Sequence, residues 1–153
     1  MPNDITVTAT HVSMCDPQRA AIKPRRYHET ITAGQAVYVN ASGEAALADA
    51  SAAGTAQFRG IALQSKLAGE VGDIFEGGLG LGAEIEGFSV SALTPGDSLF
   101  LSDTAGALAD ASGTVGVKCG EVSCLTDPLN TQVVRICMVP NIIWGNTCTY
   151  SAQ

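Results

Sequence analysis

The sequence predicts an all-β fold: a small β-barrel or sandwich built from two similar strand–turn–strand halves, with an extended N-terminal arm. Three observations predict it. The stretch TAGQAVYVNASGEAALADAS at residues 32–51 returns as TPGDSLFLSDTAGALADAS at residues 94–112. Short apolar runs alternate with clusters of Gly, Asn, Asp, Ser and Thr, the residues that build tight turns. Of 153 residues, 17 are Gly and only 15 % are charged, below the ~25 % of an average domain. The Glu, Lys and Arg that amphipathic helices draw on are therefore sparse. The length suits one domain that buries its core without disulfide staples.

Taken in chain order, DITVTATHV (residues 4–12) alternates β-branched and small residues and reads as a strand. SMCDPQRAAIKPRRYHE follows, broken by Pro17 and Pro24, and reads as an irregular, extended connection. The repeat then begins. Gly34 and Gly96 hold the same place, and Pro95-Gly96 suits a type II turn. Val37-Tyr38-Val39 matches Leu99-Phe100-Leu101 as a short strand. NASGEA and SDTAGA are hairpin loops, and the chain returns through ALADAS in both copies, Leu47 matching Leu108 and Asp49 matching Asp110. The likeness continues through Gly54 and Gly113, and Gly60 meets Gly120 if Cys119 is an insertion. Two copies are too few for a solenoid but enough to bury one apolar face on the other. Between the copies, Val71, Ile74 and Phe75 mark one strand and residues 84–90 another. GGLGLG lacks the Lys-Ser/Thr of a phosphate loop and reads as a turn or bulge. TQVVRICMV is the last strand, ended by Pro140. These segments divide the chain into an arm (residues 1–28), a β-rich core (29–140) containing the copies 32–63 and 94–123, and a tail (141–153).

The net charge of −7 argues against nucleic acid as a direct partner. The charge is uneven. Residues 1–28 carry four basic and two acidic side chains, and the remainder carries four basic and thirteen acidic ones. A cationic segment on an anionic body is a docking device in outline, with Arg19, Lys23, Arg25 and Arg26 as its candidate contacts. Trp144, the only tryptophan, either closes one end of the core or anchors a partner. No basic n-region with an apolar h-region opens the chain, and no run of 18 apolar residues offers a membrane span.

Five cysteines occur at irregular spacing, and the C-x4-C of Cys119 and Cys124 is not a zinc knuckle. They read as thiols in a reducing compartment, with no metal and no other cofactor implied. Glu84 and Glu86 share a strand face and could pair as carboxylates, but they read as a solvated strand face rather than a catalytic pair. Asp49 and Asp110 recur in both copies, which favours a turn-capping role. His11 and His28 lie away from the repeats, and no nucleophile elbow or metalloprotease motif is present, so an enzyme is not expected.

The order ITAGQAVYV, FRGIAL, LAGEVGDIFEGG, LTPGDSLFLSDTAGAL, GEVS, TQVVRICMV resembles that of the small phage capsid-cement, or head-decoration, proteins. The resemblance covers roughly residues 30–140. It implies a β-rich virion structural protein on the outer capsid surface, made in the host cytoplasm. It also implies that the protein works by bridging major capsid subunits, commonly as a homotrimer and sometimes as a dimer. The family supplies no catalytic residues to carry over. Two rival readings fit the composition less well. A tail, fibre or glycan-binding β-domain would want more exposed aromatics, and a cupin-like metalloenzyme would want clustered histidines.

Overall fold

The computed structural model describes residues 2–15, 17–18, 20–78, 83–90, 92–123 and 133–136. It contains two antiparallel sheets packed as a sandwich rather than closed into a barrel. Among the described residues the only helical element is one 3-10 turn, Ala9–His11. The strands are β1 Ser13–Met14, β2 Ala20–Arg26, β3 Ala36–Val39, β4 Ala45–Leu47, β5 Gly60–Ala62, β6 Val71–Gly78, β7 Ala83–Glu86, β8 Ser98–Leu101, β9 Leu108–Ala109, β10 Lys118–Val122 and β11 Val133–Ile136.

The strand orders give the duplication its meaning. One sheet runs β4-β3-β5-β6-β2, and the other runs β9-β8-β10-β11-β7 with β1 added at its edge. Strands β2 to β6 therefore form one five-stranded unit, and β7 to β11 form the same unit again. The register agrees across the inner strands, although the hairpins differ: Leu47 faces Val37, whereas Leu108 faces Leu101. Val37 pairs with Gly60, and Leu99 with Gly120. Ala62 pairs with Ile74, and Val122 with Val134. A register shift lies between Lys118 and Gly120, so the insertion at Cys119 that aligns the two copies is a β-bulge.

Local chemistry repeats as well. Gly34 and Gly96 have φ of 93° and 95°, the left-handed region that a type II turn demands and that glycine enters at least cost. Gln35 Oε1 accepts from the Thr32 N–H, and Asp97 Oδ2 accepts from the Thr94 N–H. In the hairpin loops Asn40 Oδ1 accepts from the Ser42 and Glu44 N–H groups, while Ser102 Oγ accepts from the Thr104 N–H.

The N-terminal segment departs from the sequence reading. Residues 4–12 do not form a continuous strand; Asp4 and Val7 make single bridges, to Ala109 and Phe88, before the 3-10 turn. The stretch read as an irregular connection instead supplies β1 and the seven-residue β2, which pairs along β6. Pro24 is tolerated because β2 is an edge strand, where a missing N–H costs no ladder bond on the open side.

The two halves bury opposite faces of the same sheet design. Residues directly opposite one another in a ladder point to the same side. In the first half the row Ala36, Ile61, Phe75, Ile22 crosses four strands. In the second half the same row reads Ser98, Glu121, Arg135, Glu84. We call this side of each sheet the back, and the side carrying Val37 or Leu99 the front. Ala36, Ile61 and Phe75 join one core cluster with Leu99, Val122, Val134 and Ile85. The first half thus packs its back on the front of the second. Each fully buried aromatic or branched side chain there stabilises the fold by roughly 2–3 kcal/mol. The first-half front is closed by its own chain: Tyr27 and Ile31 cover Val37, Ala45, Ala62 and Ile74 in a separate cluster. Tyr27 lies so close over β6 that a Cβ at Gly72 would stand 2.6 Å from its hydroxyl.

Candidate functional site

The sequence nominates charged side chains, so the question is which of them are already committed to the fold. In the first half, Glu76 is 8 % exposed and on the front by alternation from Ile74. A lone buried carboxylate is costly, and guanidinium partners offset that cost. Arg25 Nε donates to it at 3.1 Å and Arg59 Nε at 3.0 Å. Arg25 is therefore largely structural, its side chain only 19 % exposed. Lys23 stands opposite Ile74 on the same face and is exposed. Around one carboxylate, Arg25 and Arg59 leave an excess of one positive charge. Arg59 was not among the sequence candidates; its basic character was visible, but its convergence on Glu76 depends on β5 and β6 pairing.

Arg26 lies 3.6 Å from Glu44 in an exposed pair, worth little in stability. His28 Nδ1 is 3.0 Å from the same carboxylate, and this hydrogen bond is the main reason the Glu44 pKa is lowered. Of the five nominated contacts, the structure brings Lys23, Arg25 and Arg26 onto one edge strand. Arg19 and Trp144 lie outside the described residues, as do the tail and most of GGLGLG.

The second-half back face is a second charged surface. Arg135 bridges Glu84 at 3.3 Å and Glu121 at 3.4 Å. Ser123 Oγ donates to Glu84, Ser13 Oγ donates to Glu86, and Lys118 Nζ is 3.9 Å from Glu121. Glu84 is thus engaged by a cation and a hydroxyl, and Glu86 by a hydroxyl, which explains them as parts of a sheet face.

The recurring aspartates serve the fold in different ways. Asp49 accepts from the Ser51 N–H and hydroxyl and from the Thr55 hydroxyl, capping its own loop. Burial raises its pKa, but these donors outweigh it and hold the carboxyl below the ordinary 3.8. Asp110 instead accepts from the Asn3 N–H and side-chain amide, fastening the N-terminal segment; these bonds lower its pKa. Burial drives the Tyr27 pKa up to about 12, helped by the charge of Asp73 and opposed by the bond its hydroxyl donates to the Gln64 carbonyl. Burial also pushes the Cys119 thiol well above its usual range.

Among the described residues no buried side-chain nitrogen or oxygen lacks a hydrogen-bond partner. Among the same residues no group of three or more His, Cys, Asp and Glu is placed to hold a metal ion. The charges at the surface are basic along the β2 edge of the first half, where Lys23 and Arg26 are exposed, and mainly acidic on the back of the second, where Glu84, Glu86 and Glu121 stand with Arg135 and Lys118. Comparison with known protein-family models, with curated proteins and with solved structures returns no match.

Proposed function

We propose that the protein is a viral structural protein, a cement or decoration protein. It binds the outer surface of the mature phage head and bridges neighbouring major capsid subunits. The observation that carries this reading is the commitment of its ionisable groups. Glu76, Glu84, Asp49, Asp103 and Asp110 are each engaged in bonds that hold strands, loops or the N-terminal segment in place. What remains is a stiff two-sheet body that presents surfaces. The order of its strand motifs, which resembles that of the capsid-cement proteins, suggests the kind of partner.

The work in this reading is mechanical. A weak contact repeated over a shell gains by avidity, and internal pressure has to break the added contacts before the shell opens. Purified protein mixed with unexpanded and expanded shells of the encoding phage, then imaged, tests it. The expected result is ordered density outside the expanded shell, over junctions between subunits. Absence from both shells, or density inside them, contradicts it. Lys23→Glu/Arg26→Glu is the informative charge reversal, because Arg25 also holds Glu76, and lower occupancy is expected.

A further inference from the structure

We propose that the second-half sheet carries a seat for an extended strand, and that neighbouring protomers exchange the segment that fills it, residues 3–15. The two halves close equivalent edges in different ways. In the first half the β4 edge is covered by the chain that runs straight on from β2. Tyr27 bridges Ala45, the His28 N–H donates to the Ala45 carbonyl, and Glu29 Oε1 accepts from the Leu47 N–H. In the second half the equivalent β9 edge is covered by the start of the chain. Asp4 bridges Ala109, the Ile5 N–H donates to the Leu108 carbonyl, and the Asp110 N–H donates to the Asn3 carbonyl. The segment then pairs through Thr6 and Thr8 with Ser89 and Gly87, and ends on β7 as β1.

The seat is shaped for its occupant. Gly34 and Gly87 both have positive φ, and a Cβ on either would run into the segment, 2.2 Å from Val7 Cγ1 at Gly34 and 2.9 Å from Val12 Cγ2 at Gly87. Ile5, Val7, Val12 and Met14 pack inward on the shared core. At the outer end Asp110 accepts from both the N–H and the side-chain amide of Asn3. Backbone bonds along an edge, with side-chain pockets beside them, are the means by which a sheet takes up a separate strand. Outside its own 3-10 turn, every backbone bond described for the segment goes to residues 84–110. It joins the rest of the chain through residues 16–19, which include Pro17. Its contacts are the same whether it comes from its own chain or from another, so effective concentration decides between the two. The occupant is therefore the same segment of a second copy. This inference concerns the protein itself and does not depend on binding to a shell.

Disulfide trapping between chains tests it, in variants whose native cysteines are replaced by alanine. Asp4 and Ala109 oppose each other with backbone bonds on either side, the arrangement in which cross-strand side chains come closest. Asp4→Cys and Ala109→Cys, made in separate chains and mixed at about millimolar concentration, should form a disulfide-linked heterodimer on oxidation. The linked fraction should rise with concentration and exceed by about tenfold that of Asp4→Cys mixed with Ser98→Cys, a position on the opposite side of the sheet. Both substitutions in one chain, at micromolar concentration, should close within the chain, with folding checked by thermal melting. A mixture that links no better than the mispaired control, even after refolding together, overturns the exchange, and a double variant that does not close overturns the seat. A second measurement needs no substitution in the protein. A peptide of residues 2–14 at about millimolar concentration should move the Ile5 and Thr8 amide resonances of the wild type towards those of a free chain. The same peptide carrying Val7→Asp and Val12→Asp should not. Unmoved resonances with the native peptide, or equal movement with both peptides, also overturn the proposal.

Discussion

The two halves share a strand order and, across the inner strands, a register, yet the same row of positions reads Ala36, Ile61, Phe75, Ile22 in one and Ser98, Glu121, Arg135, Glu84 in the other. The backbone positions are equivalent; the surroundings differ. In the first half Ala36, Ile61 and Phe75 lie in the core shared by the two sheets, fully buried. In the second half the row faces outward, and Arg135 is tied to a carboxylate on either side. Where a sheet position sits in the assembly decides its chemistry, and the strand pattern alone does not. A duplicated unit stacked back upon front therefore needs one polar back to end the stack, as terminal units of repeat proteins do.

Exchanging the rows breaks this comparison with the largest effect. Ile61→Glu or Phe75→Arg places an uncompensated charge between the sheets and should cost more than about 4 kcal/mol, enough to unfold much of the population. The reciprocal Glu121→Ile/Arg135→Phe should change unfolding free energy by no more than about 1 kcal/mol, because half-exposed ion pairs contribute little. Urea denaturation of both measures the asymmetry. Equal losses in the two halves would mean that the rows do not differ in burial.

The equivalent turn glycines sharpen the comparison at smaller scale. Both need positive φ, but a Cβ at Gly34 would lie 2.2 Å from Val7 Cγ1, while one at Gly96 meets nothing within 4 Å. Gly96→Ala should cost only backbone strain, about 1 kcal/mol. Gly34→Ala should cost 1–3 kcal/mol more, by roughly the penalty of overpacking.

Tyr27 gives the first half a buried titratable hydroxyl, which donates to the Gln64 carbonyl. The Tyr27 pKa is raised to about 12, so the folded state holds its proton where the unfolded chain releases it near 10. The stability this contributes is complete below pH 10 and is lost as pH rises from about 10 to about 12, by roughly 2–3 kcal/mol. Tyr27→Phe should remove this contribution to the alkaline loss, at a cost of about 1 kcal/mol at neutral pH. A pH series of melting temperatures for wild type and variant shows whether it does. The smallest effect is chemical: Cys119 is buried and Cys15 exposed, so alkylation and peptide mapping of native protein should modify Cys15 and spare Cys119.

What the sequence made legible was local. The hairpins β3–β4 and β8–β9 are written in their turn residues, Asn40, Ser102, Gly34 and Gly96, within a few positions of the strands they join. The bulge at Cys119 showed as a one-residue mismatch between copies. β2 was not legible, because its partner β6 is some fifty residues away and Pro17 and Pro24 spoke locally against a strand. Residues 4–12 misled in the other direction: their alternation is that of a strand, but only Asp4 and Val7 make bridges. The candidate surface was half visible. Lys23, Arg25 and Arg26 stood out as a cluster, whereas the capture of Arg25 by Glu76, and the arrival of Arg59, follow from pairing across three strands.

The most direct measurement compares Ala36→Cys with Ser98→Cys, equivalent row positions of small volume, with the native cysteines replaced by alanine. Thiol labelling rates under native conditions should differ by at least about a hundredfold, in line with the gap between a site opened only by unfolding and a surface site. Ser98→Cys should react quickly and Ala36→Cys only as the protein unfolds. Similar rates at both positions, or faster labelling at residue 36, would contradict the back-upon-front arrangement of the two halves.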